Sequence, residues 1–143
     1  MDFTALQKVT RRLALEAGDA IMEIYNGPDF EVKTKSDASP VTAADEAADA
    51  IISAGLQAAF PDVALITEEQ AESHALKGTE FLIVDPLDGT SNFLHGIPHF
   101  AISIAAEIDG EVTAGLIHQP LTGESYWAEK GRGAWLQTQR LRV

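Results

Sequence analysis

The chain has 143 residues, with 22 acidic against 10 basic side chains and a formal net charge of −12. This charge disfavours contact with nucleic acid and with anionic membranes, so neither is expected as a partner. Cysteine is absent, which excludes disulfides and thiolate metal sites, and no apolar run is long enough to predict a transmembrane helix. The N-terminus lacks the pattern of a signal peptide, so a single cytoplasmic domain over residues 1–143 is predicted.

Two long helices are predicted in the first part of the chain. Apolar residues recur at helical spacing from Phe3 to Ile24, and the Asn-Gly-Pro sequence at 26–28 ends the first helix. The polar stretch 30–40 is predicted to be extended or irregular. A second helix is predicted from Thr42, a candidate N-cap, to about residue 60. Gly55 in its middle indicates close packing against a neighbour.

The rest of the chain has the periodicity of strands. Two short apolar runs, at 63–66 and 81–84, are separated by a polar loop. Asp109-Gly110 is a hairpin signal between two further runs. The remaining strands are predicted at 100–106, 112–118, 125–128, 134–136 and from 140 onward. This order predicts an α+β fold, with two long helices packed on one face of a mostly antiparallel sheet.

The most informative motif is Asp-Pro-Leu-Asp-Gly-Thr-Ser-Asn-Phe at residues 85–93. Proline favours extended structure just before it, so the strand is predicted to end where the acids begin. Asp85 and Asp88 are hard oxygen donors on a rigid corner, which suits Mg²⁺. Gly89 permits close backbone approach, and Thr90 to Leu94 is predicted to open a short helix whose N–H groups face an anion. Metal and phosphate sites are therefore predicted to coincide.

Two other acidic motifs precede this corner. Asp45 lies near the start of the second predicted helix, and Glu68-Glu69 follows a strand-like run. Each has a structural alternative, because Asp45 can simply cap its helix and Glu68 and Glu69 can be solvated loop acids. Paired aspartates in a turn are common as well. The combination favours a metal site, since acids that end two strand-like runs can converge at one edge of a sheet.

Together these motifs resemble the inositol monophosphatase family of Mg²⁺-dependent, lithium-sensitive phosphomonoesterases. Residues 85–93 match the family signature DP[IL]DGT with Asn-Phe following, residues 41–45 match V-T-x-x-D, and Thr67-Glu68-Glu69 corresponds to [GS]-E-E. The resemblance implies the N-terminal half of an αβαβα sandwich, since family members are about twice this length. A C-terminal α/β domain, with a W-D-x-A-[AG] signature whose Asp completes the second metal site, is expected to be absent.

The resemblance also implies a role for each motif residue. Two or three Mg²⁺ ions, replaceable by Mn²⁺ or Ca²⁺, are expected on three carboxylates and one backbone carbonyl: Glu68, Asp85, Leu87 and Asp88. Glu69 is a weaker candidate nearby. Catalytic roles are implied for Asp45, Thr90 and Glu68, with Thr90 hydrogen-bonded to Asp45 so that the pair orients and helps deprotonate the attacking water. Phosphate is expected to contact Asp88, Gly89, Thr90 and Ser91.

The implied substrate is a phosphorylated small molecule, and several hypotheses stay open. Residues 92–100 look like the inositol monophosphatase branch, whereas residues 35–45 look more like the 3′(2′),5′-bisphosphate nucleotidase branch. A third hypothesis is a catalytically silent half that serves as a binding or oligomerisation module. A homo-oligomer is expected, because a half-protein exposes a sheet edge and an apolar face, in the strands that contain or adjoin Ile83, Phe100, Ile102 and Ile104.

Overall fold

The structure is a computed structural model that describes residues 1–27 and 40–143, without the side chains of residues 40–42. Its α-helices are α1 (Phe3–Tyr25), α2 (Pro40–Ala59) and α3 (Thr90–Leu94). The strands are β1 (Ala64–Thr67), β2 (Glu80–Asp88), β3 (Ala101–Ile108), β4 (Glu111–Gln119), β5 (Glu124–Glu129), β6 (Gly133–Leu136) and β7 (Gln139–Leu141). A 3₁₀ turn at Ala71–Ala75 lies in the predicted polar loop between β1 and β2.

One sheet contains these strands in the order of the sequence, from β1 to β7. β1 and β2 are parallel, and every later pair is antiparallel. The turn between β3 and β4 has positive φ at both Asp109 and Gly110, 52° and 80°, as a tight two-residue hairpin requires. The predicted α+β fold class and the hairpin signal are both confirmed.

The two long helices pack against each other and against one face of the sheet, with α1 mainly over β4 and α2 mainly over β2. Alternate residues of β3, such as Ile102 and Ile104, are buried on this face. Close helix contact is confirmed at Gly55, where the Leu13 side chain occupies the space that a Cβ would need. Within the described ranges, no helix has the length and apolar character needed to span a bilayer.

The opposite face of the sheet is open in this chain. Ile117 and Tyr126 on it are 51% and 38% exposed, and an apolar groove of about 400 Å³ runs between them, Trp135 and Leu141. The strands predicted to be affected by this exposure do border the groove, since Ile83 of β2 and Ile104 of β3 both line it and the side chain of Ile83 is half-buried. Ile102 and Ile104 are themselves buried because strand alternation turns their side chains towards the helices, and Phe100, just before β3, is buried as well.

Two predicted boundaries also differ from the structure. β2 does not end before the acids; it continues through Pro86 to Asp88, with a register shift between Asp85 and Asp88. A bulge accommodates a proline, since the ladder lacks its hydrogen bond there anyway. α2 begins at Pro40 and not at Thr42, because proline is well tolerated in the first helical turn. The predicted irregular stretch 30–40 lies outside the described residues, apart from its last residue.

Candidate functional site

Parallel pairing of β1 and β2 places two acids side by side. Thr67 lies opposite Val84 in the register, and the Glu68 N–H continues the pairing by donating to the Val84 carbonyl at 3.1 Å. Glu68, which directly follows β1, and Asp85, which lies within β2, are therefore at the same level of the sheet. Their carboxyl groups are close enough to hydrogen-bond each other when one of them is protonated. The predicted convergence of these two acids is present in the structure.

The environment of Asp85 disfavours its ionised form. Burial raises the pKa of Asp85 to about 7, together with the hydrogen bond to Glu68 and the negative charges of Glu68 and Asp88. The Leu87 backbone N–H, which donates to Asp85 Oδ1 at 3.2 Å, has a smaller and opposite effect on this pKa. Asp85 is thus a half-buried carboxylate held near two other acids, Glu68 and Asp88.

Asp45 reaches the same group of acids from α2. Burial raises the pKa of Asp45 to about 7, with added repulsion from Glu69, Glu68, Asp85 and Asp49 in that order. In the part of the chain that the structure describes, Asp45 Oδ1 is buried and has no hydrogen-bond partner. A buried carboxylate oxygen without a donor is costly, and a cation would relieve that cost.

These acids fit a hard divalent cation by chemistry, because each offers carboxylate oxygens and their mutual repulsion favours a bound positive charge. Within residues 1–27 and 40–143, no three acidic or histidine side chains lie close enough together to coordinate one metal ion. Binding would therefore draw Glu68, Asp85 and Asp88 inward from their present positions. Glu68 and Asp88 are exposed, with Asp88 at the end of β2 next to the turn, whereas Asp85 is half-buried.

The turn after β2 is shaped by Gly89, which has a φ of +89° and precedes α3. A Cβ at Gly89 would lie 2.8 Å from the His99 carbonyl oxygen. The Asn92 side-chain amide donates to the same oxygen at 2.8 Å and closes the turn. A cavity of about 370 Å³ adjoins it, lined by Asp88, Gly89 and Asn92 among others. This volume is in the range of small-ligand sites.

Gly89→Ala is expected to lower the free energy of unfolding by about 2 kcal/mol, since it combines a positive φ with a backbone clash. Gly96→Ala is the matched control, because Gly96 has a φ of +70° but nothing within 4 Å of the added Cβ. Urea denaturation of both variants measures the difference. Equal losses at the two positions would contradict a specific role for the contact with His99.

Thr90 and Ser91 lie exposed on α3, which packs near α2. The short helix predicted at Thr90 to Leu94 is confirmed. The hydrogen bond predicted between Thr90 and Asp45 is not formed among the described residues, where Asp45 Oδ1 has no partner. Thr90 and Asp45 lie on the neighbouring helices α3 and α2. Their joint action on a water molecule stays a prediction.

Sequence reasoning missed a buried polar group beside this site. Asp49 and Ser53 follow Asp45 at intervals of four residues on α2, so all three occupy one helix face, and all three are buried. Gln70, next to Glu69, donates its amide to Asp49 at 2.9 Å. The four-residue spacing of polar residues on an otherwise apolar face was the signal that could have revealed this group.

Comparison with known proteins identifies the family. The sequence model of the inositol monophosphatase family matches residues 2–143. The chain belongs to the inositol monophosphatase family. It is 42% identical over 141 residues to an inositol-1-monophosphatase of Rhizobium meliloti (strain 1021), covering 98% of this chain and 53% of that protein. It is 38% identical over 131 residues to a histidinol-phosphatase of Chlorobaculum parvum, covering 92% and 50%.

A solved structure also matches the fold of this chain. The crystal structure of the extragenic suppressor protein suhB of Bartonella henselae matches with a TM-score of 0.79 and 38% identity, covering 97% of this chain and 54% of that one. The chain therefore spans about half the length of the relatives that it matches. The two long helices and the mostly antiparallel sheet are those of the inositol monophosphatase fold.

Proposed function

We propose that this chain carries the cation-binding and water-activating part of a divalent-metal-dependent phosphomonoesterase for substrates of the inositol-1-phosphate type. The main support is the mutual repulsion of Asp45, Glu68 and Asp85, which lie on α2, just after β1 and within β2, beside the Gly89 turn. Membership of a family whose relatives are named as phosphatases points the same way.

In this proposal the cations bind at the acids of the two parallel strands. Glu68, Asp85 and the Leu87 carbonyl would hold one Mg²⁺, and Asp85 and Asp88 would hold another, with Mn²⁺ or Ca²⁺ as substitutes. Bound divalent cations lower the pKa of water and stabilise charge on the attacking and leaving oxygens of a phosphoryl transfer. The raised pKa of Asp85 fits this role, because a crowded carboxylate gains most from a nearby positive charge.

Asp45 is the proposed proton acceptor. Its Oδ1 has no hydrogen-bond partner within the described ranges, so this oxygen is free to accept a proton. Rotation of the exposed Thr90 hydroxyl towards this oxygen would form the pair that orients water. Phosphate would bind at Asp88, Gly89, Thr90 and Ser91, where the 370 Å³ cavity adjoins the turn.

Activity against three phosphate esters, with and without Mg²⁺, tests the substrate class. Inositol-1-phosphate is the expected substrate; histidinol phosphate and 3′-phosphoadenosine 5′-phosphate represent a named relative and the nucleotidase alternative. Release of inorganic phosphate is measured at equal protein concentration. Cation binding without any hydrolysis would favour the silent-module hypothesis, and preference for the nucleotide would overturn the inositol assignment.

Divalent cations are expected to raise the melting temperature of this chain. A ligand that binds only the folded state stabilises it by about 2.7 kcal/mol at a concentration 100 times its Kd. Millimolar Mg²⁺, Mn²⁺ and Ca²⁺ are compared in thermal melts of the wild type and of Asp88→Asn, which should reduce the rise. Asp109→Asn, in the exposed hairpin turn, is the matched control. A wild-type melt that no cation changes would count heavily against the proposal.

We also propose that the isolated chain associates through its open sheet face, since exposed apolar patches and sheet edges seek partners. Sedimentation at micromolar concentration is expected to show a species larger than the monomer. Ile117→Lys in the centre of the face should shift it to monomer. Val112→Lys, at a 60% exposed position beside the hairpin turn, should not. A wild-type chain that sediments as a clean monomer would contradict this.

A further inference from the structure

Asp49 is a buried acid that the proposed chemistry does not use. It is 6% exposed, one helical turn beyond Asp45 on α2. Both of its oxygens are engaged: Gln70 Nε2 donates to Oδ2 at 2.9 Å, and Ser53 Oγ donates to Oδ1 at 3.3 Å. The contact with Gln70 joins α2 to the segment that follows β1, across 21 positions of sequence.

That segment is closed into a tight loop by Ser73, a buried residue of the 3₁₀ turn. Thr67 N–H donates to Ser73 Oγ at 3.0 Å, and Ser73 Oγ lies 2.6 Å from the Gln70 carbonyl oxygen, to which it donates. The His74 ring lies 2.8 Å from the Thr67 carbonyl oxygen through Nε2. Glu68 and Glu69 are therefore carried on a loop with fixed ends, while their side chains remain exposed.

A loop closed on itself still needs a fixed position relative to α2, which carries Asp45. Among the described residues, the Gln70 amide makes the side-chain hydrogen bonds from this loop to α2, to Asp49 and more weakly to Ser53 at 3.5 Å. The placement is electrostatically costly, because the charge of Asp49 adds to that of the acids nearby. A purely structural contact between helix and loop would be made as well by an apolar pair.

We propose that the Asp49–Gln70 hydrogen bond is a positioning contact that holds Glu68 and Glu69 at the face of α2 bearing Asp45, and so sets the affinity for the divalent cation. Gln70 and Asp49 touch neither cation nor substrate in this arrangement. They act through the loop, as groups outside the ligand set do when they orient metal ligands. The inference rests on the proposed function, since it requires a cation at Glu68 and Asp85.

The test replaces Gln70 by methionine, which keeps the length of the side chain and removes the amide donor. Titration calorimetry with Mn²⁺ measures cation affinity, and a thermal melt in chelator measures stability without the cation. Gln70→Met is expected to weaken Mn²⁺ binding about tenfold. Its cation-free melting temperature is expected to stay within about 2 °C of the wild type. Gln57→Met, at an exposed position on α2, is the matched control and should change neither quantity.

A double variant that exchanges the lengths of the two side chains is expected to restore Mn²⁺ affinity. Asp49→Glu with Gln70→Asn moves one methylene across the bond and keeps its total length, so Mn²⁺ affinity should return to within about threefold of the wild type. Equal affinity in the wild type and Gln70→Met would overturn the positioning role and leave the proposed function standing. A lower melting temperature with unchanged affinity would make the contact purely structural. A wild type that binds no Mn²⁺ would overturn both proposals.

Discussion

Asp85→Asn is expected to abolish hydrolysis of inositol-1-phosphate by this chain, a loss of at least about 100-fold from a low starting rate. Asp85 is the residue shared by both proposed cation positions, and it lies within β2 beside Glu68, which directly follows the parallel strand β1. Neutralising it removes one ligand from each position at once. Phosphate release with saturating Mg²⁺ measures the effect, with Asp109→Asn as the control of the same chemistry.

The wild-type rate itself is expected to be low and dependent on Mg²⁺. The family resemblance implies that one acidic ligand of the second cation lies in the half of the relatives that this chain does not span. Losing one electrostatic contact to the leaving oxygen costs roughly 3 kcal/mol, or about a hundredfold in rate, and leaving-group contacts would be lost too. Turnover comparable to that of a full-length relative would show that this account of the second cation is wrong.

The second large effect is a gain in stability on mild acidification of the cation-free protein. The pKa of Asp45 and of Asp85 is about 7 in the folded chain, against a reference value of 3.8. A raised carboxyl pKa means that the folded state binds the proton more tightly, so stability is lost as pH rises through 7 and is regained as pH falls. With solvent screening allowed for, we expect the melting temperature to rise by about 5 °C from about pH 8 to pH 6.5.

Below about pH 6.5, the buried His118 lowers the stability of the protein as the pH falls. His118 is buried under α1, with Nδ1 2.7 Å from Ser125 Oγ, and burial lowers its pKa from 6.5. Because the pKa of His118 is lowered in the folded state, the protein loses stability as pH falls below the unfolded value of this group, so the gain from the two carboxyl groups should become shallower below about pH 6.5. Asp85→Asn should reduce the rise between pH 8 and 6.5, and saturating Mg²⁺ should remove it. A melting temperature that falls steadily over this range would contradict the interpretation.

Much of the fold could be predicted because its periodicities are local. The apolar spacing of α1 and the alternation of β3 to β5 follow from which residues must face the helices. The errors lie where two local rules compete. The usual effect of proline predicts that the strand ends before Pro86, but a bulge allows β2 to continue through this residue. Thr42 was favoured as a cap, but proline at residue 40 starts α2 earlier.

The candidate site was predictable as a set of residues but not as a set of contacts. Asp85 and Glu68 are adjacent because β1 and β2 pair in parallel, in agreement with the prediction that the two strand-like runs bring their acids together. The absence of the Thr90–Asp45 bond depends on the rotamer of the exposed Thr90 side chain, which spacing does not fix. The Asp49–Gln70 contact joins residues 21 positions apart, so it follows from how α2 lies over β1 and not from any local pattern.

The order of the strands has a consequence for synthesis. Each strand pairs with the next one in the sequence, so every step of sheet formation uses a neighbour that has just left the ribosome. Short sequence separation between contacting elements favours rapid folding. Glu68, directly after β1, and Asp85 of β2 come together when these two strands have paired, ahead of β4 to β7. We expect the cation site to assemble early in translation, so that divalent ions in the cell act on the nascent chain as well as on the finished protein.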